Sequence, residues 1–220
     1  MQKTSICRYF CFALLLLLST GCGMDMSREP DPQVLFIALD GTGSYDHLNR
    51  AKKRAIQALE KAPPKSRVYV RWITGESASS AAVIGSIRVP ESSNNPYAES
   101  GEESPKRKLA RAIAEAKFPN ADRTDLQGLL WVAGKRFRKY SDLKRRLLLA
   151  TDLAGNVERE LPEVNLKNAT VQVAGFEVDP SRPRREQKWK QVFRDAGADT
   201  TVVHYFDQPI QASTQSTEPR

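Results

Sequence analysis

The chain predicts an α/β fold, a mostly parallel sheet with helices packed on both faces. Two observations carry this. Val34-Leu35-Phe36-Ile37-Ala38-Leu39 is a continuous apolar run, the pattern of a strand buried on both sides rather than on one. A second such run, Arg146 to Leu153, follows more than a hundred residues later. Between and after these runs, segments of strand character alternate with segments of helical period, the order that parallel strands joined by crossover helices require.

The elements follow in order. After the first strand, Leu48, Ala51, Ala55, Ile56 and Leu59 recur at helical spacing with Lys52, Lys53 and Arg54 largely opposite, and Pro63-Pro64 ends the helix. Arg67 to Thr74 alternates and is rich in β-formers, so it is a strand; Val83 to Val89 reads as a short edge strand stopped by Pro90. Residues 91–105 are rich in Ser, Asn, Glu and Pro and read as a long exposed loop. Lys106 to Phe118 is a basic helix around Leu109, Ala112, Ile113 and Ala116. Thr124-Asp125-Leu126-Gln127 opens a further helix with Leu126, Leu129, Leu130, Ala133 and Phe137 on one face. Thr170 to Val178 is a strand, Gln187 to Ala196 a helix ended by Gly197, and Thr201 to Phe206 the last strand. No internal repeat or second domain is visible.

The first 21 residues read as a signal. Lys3 and Arg8 give a positive start, Phe10 to Leu18 is an apolar core of signal length, and Ser19-Thr20-Gly21 is a small-residue cleavage zone. The zone ends in Cys22, so it resembles a bacterial lipoprotein signal whose cysteine is lipidated and becomes the first residue. The usual box has Leu three places before the cysteine; here Ser19 stands there and Leu18 one earlier. An ordinary secretory signal cut nearby is the rival reading. Cys7 and Cys11 leave with the signal, and Cys22 remains as the one cysteine, which rules out an intramolecular disulfide. Gly23 rather than Asp follows it, resembling lipoproteins passed on to the outer membrane of a diderm bacterium. Residues 22–33 form a polar tether, 34–207 the domain, and 208–220 a polar, aperiodic and disordered tail. Loss of Lys3 and Arg8 takes the formal charge from +8 to +6. Export argues against nucleic acid, and a basic surface beside a membrane meets anionic lipid or acidic polymers.

The chemistry concentrates at the end of the first strand. Asp40-Gly41-Thr42-Gly43-Ser44 places one carboxylate and two hydroxyls at alternate positions on a flexible turn. Oxygen donors at the carboxyl end of a central strand suit a hard cation such as Mg2+. Together with Thr124 at a helix start and Asp152 in Ala150-Thr151-Asp152-Leu153, this resembles a von Willebrand factor type A domain. That family has a Rossmann-like three-layer α/β fold and a metal-ion-dependent adhesion site above its sheet. The first motif of the family, Asp-x-Ser-x-Ser, is matched by Asp40, Thr42 and Ser44; its lone threonine by Thr124; its Thr-Asp-Gly aspartate by Asp152. Thr42 replaces a serine but keeps the hydroxyl. Leu153 replaces a glycine, and is expected to narrow the loop beside the metal without removing a ligand.

The resemblance implies that Thr42, Ser44 and Thr124 touch Mg2+ (or Mn2+ or Ca2+), with Asp40 and Asp152 acting largely through bound water. An ion ringed mainly by neutral oxygens keeps much of its charge and favours a carboxylate from outside. The implied partner is a protein supplying an acidic side chain, and no turnover is implied. Each residue also has a plain structural use. Ser44 or Asp46 could cap the following helix, Thr124 with Gln127 forms a capping box, and Asp152 could be another cap.

An enzyme is the alternative. Asp40-Gly41-Thr42-Gly43-Ser44 also resembles the haloacid-dehalogenase motif, in which Asp40 would be a phosphoryl-accepting nucleophile and Thr151 would hold the phosphoryl group. The late acidic pair of that family is matched only poorly by Gly175-Phe176-Glu177-Val178-Asp179. His47 and His204 show no metal-ligand spacing, and Trp72, Trp131 and Trp189 read as packing residues. The basic groups at 106–108, 135–136, 138–139 and 144–146 read as solvated faces; convergence of these groups would make a surface for polyanions.

Overall fold

In the computed structural model the described residues are 30–91, 103–155, 163–176 and 182–205. Contacts divide the chain into Met1–Pro30 and Asp31–Arg220, and the account below concerns the second unit. Cys22, the signal, most of the tether and the tail lie outside the described residues, as do residues 92–102 of the long loop and Glu177 to Asp179.

The chain runs β1 (Gln33–Asp40), α1 (Leu48–Glu60), β2 (Arg67–Ile73), a 3-10 turn (Ser80–Ala82), β3 (Val83–Arg88), α2 (Pro105–Glu115), α3 (Leu126–Lys139), β4 (Lys144–Ala150), β5 (Ala169–Phe176), α4 (Arg182–Asp195) and β6 (Thr200–Tyr205). The six strands form one sheet in the order β3-β2-β1-β4-β5-β6. All neighbours are parallel except β2 and β3, which pair antiparallel with a register shift at Val70/Arg71.

Alternation along the strands divides the core in two, because successive side chains point to opposite faces. Val34, Phe36 and Ala38 of β1 pack with Leu129, Ala133 and Phe137 of α3 and Phe193 of α4. Leu35, Ile37 and Leu39 pack on the other face with Ala55 and Leu59 of α1 and Leu109 and Ile113 of α2. Val34 through Leu39 are completely buried, as a central strand covered by helices on both sides must be. At the edge, α2 lies so close to β3 that a β-carbon at Gly85 would fall 2.7 Å from Leu109 Cδ1.

Element types agree with the sequence reading; several bounds do not. α2 ends at Glu115 rather than running to Phe118, since Pro119 disfavours helical geometry in the residue before it. β4 starts at Lys144 and ends at Ala150, because Lys144 and Arg145 already pair with β1. α4 begins at Arg182, five residues earlier than its apolar spacing suggests; Pro183 in its first turn suits a helix start.

The connection order places a switch point between β1 and β4. From β1 the chain moves outward through β2 and β3, then returns to β4 and moves outward the other way. Crossovers therefore leave in opposite directions from the carboxyl ends of β1 and β4, opening a crevice there, the usual place for a ligand in an open α/β sheet.

Candidate functional site

Asp40 closes β1 at that crevice and is completely buried. Its Oδ1 accepts from the Thr42 amide at 3.0 Å and from Thr42 Oγ1 at 2.7 Å. Its Oδ2 accepts from Thr151 Oγ1 at 2.5 Å. Leu39 is paired with Ala150, so Asp40 and Thr151 leave adjacent strands at the same level. Thr42 Oγ1 lies 3.4 Å from Ser44 Oγ. Thr42 is buried while Ser44 is exposed, so the motif grades from the sheet interior to solvent.

The loop holding Thr42 is fastened to the segment that leads into α3. Gly43 N donates to Ala121 O at 3.2 Å and Ala121 N donates to Gly41 O at 2.9 Å. Thr124, three residues beyond Ala121, is buried. Gly41 is required here: a β-carbon on it would meet Pro119 Cγ at 2.9 Å. On the far side, Thr151 Oγ1 accepts from Leu153 N at 3.0 Å, and Asp152 Oδ1 accepts from Ala154 N at 2.8 Å. Thr151 thus ties the third motif to the first, a role the sequence reading missed; the sole signal was its place beside Asp152.

Burial pushes the Asp40 carboxyl above its ordinary value of 3.8. The hydrogen bonds from Thr151 and Thr42 pull it down, and the charge of Asp152 adds to the rise, so the two carboxylates sense each other. Among the described residues no Lys or Arg reaches Asp40. Asp152 does meet a cation, since Arg185 Nη1 lies 3.6 Å from its Oδ2 with both side chains mostly covered. A metal ion drawing on Asp152 would compete with this guanidinium. Arg185→Gln is therefore expected to tighten Mg2+ binding, by up to about fivefold, as judged by calorimetric titration.

Three details correct the sequence reading. The N-cap of α3 is Asp125, one residue beyond Thr124, and its Oδ1 accepts from Gly128 N at 2.7 Å. Asp125→Ala should cost about 1 kcal/mol in urea unfolding, the usual worth of such a cap. Neither Ser44 nor Asp46 caps α1, whose N-cap is His47 with no side-chain cap bond. Leu153 does not crowd the crevice. Its backbone takes φ +59°, the conformation glycine favours, while its side chain is buried in the core against α3 and α4. Its carbonyl accepts from Trp189 Nε1 at 2.9 Å. Leu153→Gly relieves the backbone but empties the core, so a net loss of roughly 2 kcal/mol is expected by denaturant titration.

The donor set is two carboxylates and three hydroxyls. Among the described residues no three His, Cys, Asp or Glu side chains gather in the manner of a carboxylate or imidazole cage. Oxygen donors of this kind fit Mg2+ or Mn2+ better than Zn2+. Asp40 is buried with only hydroxyl and amide donors, and among the described residues no basic group offsets the charge its carboxylate would carry. Beside the crevice a cleft of about 620 Å³ opens, lined by Thr74, Glu76, Ser79, Pro119, Asp122 and Arg123 among others. The buried position of Asp40 and the engagement of both its oxygens oppose its use as an attacking nucleophile.

No family model matches the sequence, and no curated protein matches it. Solved structures do match. A von Willebrand factor type A protein from Catenulispora acidiphila superposes with TM-score 0.51 at 18% identity, over 81% of this chain and 39% of that one. Proximal thread matrix protein 1 from the mussel byssus superposes with TM-score 0.50 at 12% identity, over 80% of this chain and 45% of that one. An aerotolerance-related membrane protein from Bacteroides fragilis gives TM-score 0.48 at 11% identity, over 78% and 91%. The chain spans less than half the length of the first two. Strand order, layers and the superposition on the Catenulispora acidiphila protein agree on the architecture: the domain has a von Willebrand factor type A-like fold, a Rossmann-like α/β sandwich.

Proposed function

We propose that the domain is a divalent-cation-dependent protein-binding module, held on a bacterial envelope membrane by a lipid on Cys22. The observation that carries the cation is Asp40: a carboxylate buried at the β1/β4 switch point, bonded to Thr42 and Thr151, close to Asp152 and without a basic partner of its own. Mg2+ or Mn2+ at this position offsets the charge of both carboxylates. Asp40, Thr42, Ser44, Thr124 and Asp152 would hold it, with Ser44 on the solvent side.

The ion supplies a positive centre with a coordination position open to an outside carboxylate, and this chain's residues orient it. A buried Asp40 fixes the loop through Thr42, the Ala121 clamp sets the approach of Thr124, and Thr151 sets Asp152. The cleft between Thr74 and Arg123 offers room for the chain flanking the partner's acidic residue. The fold shared with a von Willebrand factor type A protein and with a thread matrix protein supports binding rather than turnover.

Capture of a protein partner from envelope membranes tests this. Binding is expected in Mg2+, reversal by a chelator, and loss in Thr124→Ala, at a residue that is not the N-cap of α3. Capture unaffected by chelation, or hydrolysis of an aryl phosphate that disappears in Asp40→Asn, would overturn it.

A further inference from the structure

We infer that the end of the domain opposite the candidate cation site is a docking surface for an anionic lipid bilayer. Arg88, Arg67 and Arg145 lie in one row across the sheet: Arg67 is paired with Arg88 on one side and with Val34 on the other, and Val34 is paired with Arg145. Being in register with Val34, they sit at the level where β1 begins, while Asp40 ends it. The last turn of α3 brings Arg136 and Lys139 to the same end.

Aromatic rings hold these cations in place. Arg67 lies over the Tyr140 ring at 5.1 Å, Lys139 over the same ring at 5.7 Å, and Arg136 over Tyr69 at 4.9 Å. The Tyr69 hydroxyl donates to that of Tyr140 at 3.2 Å, joining the two stacks. Burial, with that bond, pushes the Tyr69 phenol up to about 12, so it stays neutral. Arg145 is spent on backbone carbonyls of Ser141 and Lys167 rather than on acids. Among the described residues no carboxylate pairs with Arg67, Arg136, Lys139 or Arg145. Lys144 does pair with Asp31 at 2.8 Å, and Glu91 approaches Arg88 only at 4.0 Å.

Charge spread over a whole end, interleaved with partly exposed tyrosines, suits a flat anionic surface with an interfacial zone better than a single threaded polymer. The chain itself enters the domain at this end, at Gln33. About eleven residues separate Cys22 from Gln33, a reach of at most roughly 40 Å. If Cys22 is lipidated, as proposed above, this basic end is the one kept near the bilayer, and the cation site faces outward to its partner. The charge row and the aromatic stacks stand without that reading.

The test uses the full-length chain with Cys7, Cys11 and Cys22 replaced by serine and one fluorophore, attached at Ser141→Cys or at Asp46→Cys. Vesicles are phosphatidylcholine alone or mixed equally with phosphatidylglycerol, carry a headgroup nitroxide lipid, and contain a chelator, so that cation binding plays no part. Quenching is expected at position 141 and not at position 46, only with phosphatidylglycerol, and reversed by high salt. The triple variant Arg67→Gln, Arg136→Gln, Lys139→Gln should return quenching at 141 to the level seen with phosphatidylcholine alone. A charge-matched control away from this end, Lys53→Gln, Lys117→Gln, Arg123→Gln, should not. High salt gives the same readout on the unaltered surface, whether or not the triple variant folds. Equal quenching at both positions, indifference to phosphatidylglycerol, or binding of soluble polyphosphate without lipid contact overturns the inference.

Discussion

Asp40→Asn should abolish the rise in Tm expected from Mg2+ at the proposed site while leaving the cation-free protein folded and no less stable near neutral pH. Asparagine keeps an oxygen to accept from Thr42, and the Thr151 hydroxyl can turn to accept from its amide. What disappears is a buried charge. The sign follows from linkage. The folded-state pKa of Asp40 is raised, so the native state holds its proton more tightly than the unfolded chain does. Without metal, stability should therefore fall as pH rises from near 3.8 through the raised value, and level off above it. In Asp40→Asn that slope should vanish. Mg2+ at the proposed site would bind the ionised form, so it should offset the loss in the native sequence. At a hundredfold excess over Kd the gain is about 2.7 kcal/mol, or roughly 5–10 °C in Tm for a domain of this size. Thermal unfolding across pH, with Mg2+ and with chelator, checks every part.

Phe137→Ala should have the largest effect on stability. Phe137 is completely buried on α3 in the core that includes Val34, Phe36 and Leu147. Its loss removes an aromatic side chain and leaves a cavity that close-packed strands cannot refill, at a cost of about 3–5 kcal/mol. Against a total stability on the order of 5–15 kcal/mol, that leaves the domain marginal. Urea unfolding measures it. The Mg2+-induced rise in Tm should persist in whatever fraction stays folded, since Phe137 lies near the C-terminal end of α3 and the candidate ligand Thr124 precedes its N-terminus. The two variants thus separate: one loses the cation response and keeps the fold, the other does the reverse.

How much of this was legible depends on the length scale of each signal. Val34–Leu39 announced a central strand because burial on both faces leaves no polar alternation to misread. Helices with strong apolar stripes, such as α1 and α3, were placed by periodicity. α4 began earlier than expected because its first residues, Arg182 to Glu186, are polar and carry no stripe. The antiparallel course of β3 is not a property of its own residues, which read simply as a short strand. At the site, Asp40, Thr42 and Ser44 were visible because they are close in sequence. Asp125 as the cap, the Asp40–Thr151 bond and the Arg185–Asp152 pair depend on which elements become neighbours, and spacing alone does not encode that. The same holds for the basic end, where cations from β2, β3, β4 and α3 converge from four stretches that each look like an ordinary solvated face.

Mn2+ binding followed by electron paramagnetic resonance tests the convergence of the three stretches most directly. One ion per chain is expected, displaced by Mg2+, with binding weakened at least tenfold in each of Ser44→Ala, Thr124→Ala and Asp152→Ala, since each removes one donor. Unchanged Mn2+ affinity in Thr124→Ala or Asp152→Ala, or no binding by the native chain, would contradict a cation held jointly by these loops.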